Sequence, residues 1–192
     1  MLLRFDRDEL RELFRAWLLV SLVFSVAFTR GNLFSFSFLI NFILSGFTVG
    51  IAFLCHELAH KFVAQHYHAY AKFIANTRML LLSLLFAFFG FILIAPGGVV
   101  ISGRLNRKQH ANIAAAGIFA NISLALLFLA LLLFRILAPI TRFGFQINMW
   151  LAFFNLLPFP LFDGQNIMAW NRRLYIILIF VAISLLFISF II

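Results

Sequence analysis

Cysteine, proline and charge are all scarce: among 192 residues there are one cysteine, four prolines and six acidic side chains, and charged residues of either sign make up 11%. The lone Cys55 excludes an internal disulfide and reads as a small packing residue. So little charge excludes a soluble core wrapped in a polar surface. No Ser/Gly-rich linker, internal repeat or low-complexity tail divides the chain, so residues 1–192 read as one domain. A cleavable signal peptide is not expected, because the first apolar run follows RFDRDELRELFR and lacks a small-residue cleavage pattern.

What is abundant is hydrocarbon: 65% of residues are apolar, 18% are aromatic, and 28 are Phe. The net charge of +9 does not point to nucleic acid, because the basic residues sit in short groups between apolar runs without an aromatic-basic stripe. It fits membrane topology and contact with anionic head groups, so the lipid bilayer is an expected partner and nucleic acid is not.

Crossing a bilayer takes about 20 helical residues. Residues 16–29 form a short first candidate, preceded by a charged segment that reads as an interfacial helix. Residues 34–55 form a second, which runs on to about His66. Residues 111–134 and 143–162 follow, separated by RILAPITR, and 174–192 is the last. Residues 79–103 are ambiguous, since Gly90, Pro96, Gly97, Gly98 and Gly103 make the second half a poor helix and a plausible extended hairpin. The expected fold is an all-α polytopic membrane protein of five to six transmembrane helices, with a membrane-dipping hairpin between the second span and the next.

Inside this apolar chain stands HELAH, residues 56–60. On a helix the i, i+4 spacing puts His56 and His60 on one face, where both imidazoles can grip one zinc ion. Glu57 is then placed to act as general base toward a zinc-bound water, whose pKa the metal lowers. Charged residues in a membrane helix are costly and seldom carried without use. His66, His68 and His110 lack such a pairing and read as interfacial. Hydrolytic zinc sites usually have a third protein ligand. Of three aspartates, Asp6 and Asp8 belong to the charged N-terminal segment, so Asp163 stands out: Pro158 and Pro160 break a helix just before it, and such a kink can turn a carboxylate inward.

Four stretches, HELAH, APGGVVISG (95–103), AAGIFANIS (115–123) and NLLPFPLFDG (155–164), occur in the order of the site-2 protease family of intramembrane zinc metalloproteases. The chain resembles a minimal prokaryotic or archaeal member without PDZ or CBS domains, over about residues 40–170. The resemblance implies His56, His60 and Asp163 as ligands to one Zn2+ per chain, Glu57 as general base, and Asn155 as a group that holds the substrate carbonyl or its oxyanion. It also implies Asn121 as a polar contact on the core helix, grouped with Gly97 and Gly98 as substrate-binding positions. Ile118 stands where the family has Pro, and Gln165 where a second Gly is common.

Two topologies differ in where they put the site. With six spans, the histidines and Asp163 lie near opposite faces; with five, because the glycine-rich segment dips and returns, they meet. Under five spans one side collects Arg4, Arg7, Arg11, Arg15, Lys72, Arg78, Arg104, Arg107, Lys108, Arg172 and Arg173, and the other only Arg30, Arg135 and Arg142, with Lys61 left out as lying within a helix. The positive-inside rule makes the first side cytoplasmic and places the site toward the cytosol of a multi-pass cell-membrane protein. The expected reaction is hydrolysis of peptide bonds in or near the single transmembrane segment of membrane protein substrates, as in regulated intramembrane proteolysis. PGGVV would offer a strand edge to the unwound substrate. Two other classes share part of the pattern. A catalytically silent scaffold would not need the full set of two His, Glu and Asp, and a metal transporter leaves Glu57 without a use.

Overall fold

The charged opening and the first apolar run form one continuous helix. In the computed structural model, which describes residues 3–92, 96–160 and 162–191, Asp6 caps α1 (Arg7–Phe28) by accepting the Glu9 backbone N–H at 2.7 Å. Asp8 and Glu9 add negative charge to the first turn, where the helix dipole favours it. The charged segment leads into the first apolar run without a break, because no glycine or proline interrupts residues 7–28.

Helix α2 (Phe36–Ser45) passes through a π-helical turn (Gly46–Gly50) into α3 (Ile51–His66), giving one apolar rod of 31 residues. Trp17 of α1 packs on that turn and donates its indole N–H to the Gly46 carbonyl at 3.0 Å. After α3 the chain turns at His68 into strand β1 (Tyr70–Ala75), which pairs antiparallel with β2 (Gly97–Ser102), from Tyr70 opposite Ser102 to Ala75 opposite Gly97. An extended segment after Gly90 is therefore present, but its partner is β1 and not a strand of the same hairpin. The all-α expectation gains a two-stranded sheet. Alternation in YAKFIA carries the strand: Ala71 and Phe73 are buried while Tyr70 and Ile74 are exposed.

Between the strands lies α4 (Thr77–Ala87), capped by Asn76, whose side chain accepts the Met79 N–H. Eleven residues reach only about 16 Å. The Asn76 N–H donates to the Pro96 carbonyl at 2.9 Å, so this excursion ends where it began. Residues 93–95 of it lie outside the described residues. Gly97 has φ +117° and a side chain there would strike the Ile74 carbonyl, which is why glycine opens β2.

Helix α5 (Arg107–Leu133) starts with a reciprocal capping box between Asn106 and Gln109, both bonds at 2.9 Å. Helix α6 (Ala138–Asn155) carries Pro139 in its first turn and ends seven residues before the expected 162, because Pro158 and Pro160 cannot continue it. Helices α7 (Asp163–Trp170) and α8 (Arg172–Ile191) complete the fold; Leu161 of the Pro-rich stretch and Ile192 of the last expected span lie outside the described residues.

Among the described residues three helices, Phe36–His66, Arg107–Leu133 and Arg172–Ile191, are long and apolar enough to cross a membrane. The other two expected spans, 16–29 and 143–162, fall in α1 and α6, whose composition is more polar. Phe36, Phe47, Phe180, Phe187 and Phe190 turn their rings outward, an apolar surface suited to hydrocarbon. The two largest buried clusters hold most of the helices together. One joins α5 to α8 through Ile118, Phe145, Met149, Leu156 and Ile167; the other joins α1, the α2–α3 rod, β1 and α4 through Val20, Phe24, Phe53, Phe73 and Leu80.

Candidate metal centre

One helical turn separates His56 from His60 on α3, and their rings meet edge to face with Nε2 atoms 2.9 Å apart. Both are buried, at 6% and 8% exposure. Helix α5 fixes the other nitrogen of each ring: His56 Nδ1 lies 2.7 Å from Asn121 Oδ1, and His60 Nδ1 lies 2.7 Å from the Ile113 carbonyl oxygen. Both partners are acceptors, so Nδ1 carries the proton in each neutral ring, and both Nε2 lone pairs turn toward the same point.

Midway between Ile113 and Asn121 on the same face of α5 is Gly117. A β-carbon there would stand 2.5 Å from His60 Cε1 and 2.6 Å from His56 Cε1. Glycine is therefore what lets α5 come close enough to hold both imidazoles.

Asp163 enters from the first turn of α7, carried there by the non-helical segment that contains Pro158 and Pro160. Gly164 lets that turn fold against the end of α6, since a side chain there would meet the Leu156 carbonyl. Asp163 Oδ2 is 3.2 Å from both Nε2 atoms and is buried without a hydrogen-bond donor among the described residues. One ligand atom from each of His56, His60 and Asp163 lies within 4.8 Å of the others, so the group could hold a metal ion. The chemistry of the donors fits one. Two imidazole N–H groups cannot face each other at 2.9 Å, and a buried carboxylate oxygen without a donor is costly. A cation satisfies all three lone-pair atoms together, and two nitrogens with one oxygen suit zinc with a position left open.

Glu57, also buried, accepts the Val99 N–H of β2 at 3.0 Å. Opposite Val99, Phe73 donates its N–H to Glu9 Oε1 at 2.9 Å. Lys61 sits 2.6 Å from both Glu9 carboxylate oxygens and donates to the Ala71 carbonyl at 2.9 Å, with both charged side chains almost fully buried. One edge of the sheet is thus capped by this ion pair, and the other, on β2, is turned toward Glu57.

Of the residues singled out from sequence, His56, His60 and Asp163 come together with Glu57 beside them. A β-carbon on Gly98 would lie 3.8 Å from Glu57 Oε2, whereas Gly97 sits at the sheet end against Ile74 and Ala75. Asn121 is fully buried behind His56, where it also bonds to the Ala52 carbonyl and Asn148. The Asn155 amide donates to the Leu151 carbonyl of its own helix at 3.0 Å. His66, His68 and His110 are exposed and apart from it. Ile118 is buried in an uninterrupted α5, and Gln165 is exposed on α7. Sequence reasoning passed over Gly117, Asn148 and the Glu9–Lys61 pair. An Asn inside an apolar segment was the available signal for Asn148.

The chain is 37% identical over 180 residues to a curated protein of Methanocaldococcus jannaschii named "Putative zinc metalloprotease", a match that covers 91% of this chain and 90% of the relative. No protein-family model and no solved structure matches it. Identity at that level along nearly the whole length of both proteins means that the chain belongs to this zinc metalloprotease family.

Proposed function

We propose that the protein is an intramembrane zinc endopeptidase of the site-2 protease type, which cuts membrane proteins in or near a single transmembrane segment. The observation that carries this reading is the meeting of Asp163 with His56 and His60, next to Glu57 and the β2 edge whose Val99 N–H Glu57 accepts. In this reading those three residues hold one zinc ion per chain. Bound there, zinc supplies a Lewis acid that polarises the scissile carbonyl and acidifies a water. Glu57 takes the proton from the attacking water and passes it to the leaving nitrogen. Hydroxyl thus ends on the new carboxyl group and hydrogen on the new amine. Asn155 is assigned to the developing negative charge; its amide donates one N–H to the Leu151 carbonyl and has a second to offer the substrate.

A helical substrate hides its carbonyls in its own hydrogen bonds and must unwind first. The outer edge of β2 can pair with the unwound chain, and Gly98, lacking a side chain, leaves room beside Glu57. Five membrane crossings suit this arrangement: α4 is too short to cross about 30 Å of hydrocarbon, and the ends of its excursion are paired. With eleven of the fourteen counted basic residues on its side, the site faces the cytoplasm.

The test is Glu57→Gln with a panel of single-span model substrates. Zinc content should stay near one ion per chain while cleavage is abolished, because the amide cannot accept the proton. Loss of zinc along with cleavage would move Glu57 into the ligand shell and undo the assignment.

A further inference from the structure

We propose that Asn148, on α6, is a positioning residue for the metal centre: it holds the Asn121 amide in the one orientation that presents an acceptor to His56. The inference rests on the metal reading above. Asn148 is completely buried. Its Nδ2 donates to the Gly144 carbonyl at 2.8 Å, which leaves Oδ1 to accept from Asn121 Nδ2 at 3.1 Å. The same Asn121 nitrogen also donates to the Ala52 carbonyl of the α3 segment at 3.2 Å.

An amide side chain can be rotated by half a turn, exchanging its oxygen for its nitrogen at almost no change in shape. With Asn121 turned that way, its oxygen would face two acceptors, Asn148 Oδ1 and Ala52 O. Its NH2 would then donate to His56 Nδ1, and the His56 proton would have to move to Nε2, into the middle of the three ligand atoms. Asn148 opposes this turn because its own orientation is locked by a backbone carbonyl of its helix. A chain of fixed hydrogen-bond polarity therefore runs from Gly144 O through Asn148 and Asn121 to His56, and it ends on the Nε2 lone pair. Asn121 and Asn148 are both at 0% exposure, so no bulk water can replace a missing partner.

A polar residue between membrane helices can also serve only as interhelical glue. Gln146 provides the comparison: it lies on the same helix and donates to the Ser189 carbonyl of α8 at 2.9 Å, with no link to the histidines. The experiment measures zinc affinity by chelator competition, the visible spectrum of the cobalt-substituted protein, and thermal unfolding of the metal-free protein, for Asn148→Leu, Asn148→Asp and Gln146→Leu. Asn148→Leu should weaken zinc binding by about 10- to 100-fold, the usual effect of losing a group behind a metal ligand, and shift the cobalt spectrum. Gln146→Leu should lower thermal stability without moving zinc affinity. Asn148→Asp, held neutral in this buried place, can donate its O–H to Gly144 O and present its carbonyl oxygen to Asn121, so it should bind zinc like the wild type.

Equal zinc affinity in Asn148→Leu and wild type, or equal weakening by Gln146→Leu, overturns the proposal. A second readout needs no variant: at alkaline pH, 15N spectra of histidine-labelled, metal-free protein should show His56 protonated at Nδ1. Protonation at Nε2 instead overturns it even if Asn148→Leu fails to fold. Wild-type protein that retains no zinc would sink the metal reading itself, and this inference with it.

Discussion

Gly117→Ala adds one methyl group to α5 at a point 2.5 Å from His60 Cε1 and 2.6 Å from both His56 Cε1 and His60 Nε2. Carbon atoms in contact settle about 3.5 to 4.0 Å apart, so the imidazoles, or the whole of α3, must retreat by about 1 Å. The helix itself gains, since glycine in a helix interior costs about 0.5–1 kcal/mol relative to alanine. Overpacking opposes that gain by about 1–3 kcal/mol. The gain offsets only part of that cost and leaves a loss of about 1 kcal/mol in fold stability, whereas at the metal nothing offsets it. Zinc–nitrogen bonds are about 2.0–2.1 Å long, and a ring displaced by half that length cannot keep one. Misplacing a reacting group by about 1 Å costs on the order of 10²-fold in rate. Gly117→Ala should therefore keep its helical circular dichroism and melt within a few degrees of the wild type when both are metal-free, about 2–4 °C per kcal/mol being the scale for a chain of 150–250 residues. Its zinc retention and peptide cleavage should both fall by about two orders of magnitude. Zinc content would be read by plasma mass spectrometry after dialysis against chelator, and cleavage on a single-span substrate in detergent. One zinc per chain together with an undiminished rate would mean that the imidazoles do not lie against α5, and the site geometry would have to be redrawn.

Asp163→Asn keeps the shape but removes the anionic oxygen that faces both Nε2 atoms, so zinc should be lost more readily and cleavage eliminated; the same change at Asp6 should do neither, and full zinc occupancy in Asp163→Asn would take Asp163 out of the site. Lys61→Met leaves the Glu9 carboxylate buried without its counter-ion and should cost about 3–5 kcal/mol in a detergent unfolding titration. Adding Glu9→Leu should recover only part of this, because the Ala71 carbonyl and Phe73 N–H would still lack partners; a cost below about 1 kcal/mol for Lys61→Met would show that the pair is solvated. In a Cys55→Ala background, Ser102→Cys and Asn166→Cys should be labelled from the cytoplasmic side and Phe34→Cys from the other, and opposite sides for Ser102 and Asn166 would rule out five crossings.

Whatever depends on neighbours a few residues apart can be read along the chain. Four-residue spacing puts His56 and His60 on one face of any helix that includes them, with Glu57 beside the first, wherever that helix sits. Long apolar runs gave the helices around residues 36–66, 107–133 and 172–191 for the same reason, because each makes its backbone hydrogen bonds internally and needs only a surrounding of hydrocarbon. The end of α6 was less accurately legible, since prolines at 158 and 160 announce a break but not how far before them the last turn unwinds.

Which distant groups meet depends on long-range packing. The pairing of β1 with β2 joins strands separated by α4, and a six-residue alternation names no partner. Gly117 looked like one small residue among the alanines of AAGIFANIS until α3 was laid against it, because the need for glycine arises from two imidazoles on another helix. The burial of Lys61 has the same origin: the residue left out of the charge comparison is neutralised by Glu9, which α1 brings across from the start of the chain. The polarity of the Gly144–Asn148–Asn121–His56 chain likewise comes from how α3, α5 and α6 are turned about their axes. Rotation of a helix about its axis is set by packing across the bundle and not by the order of its own residues, so no local pattern could have carried it.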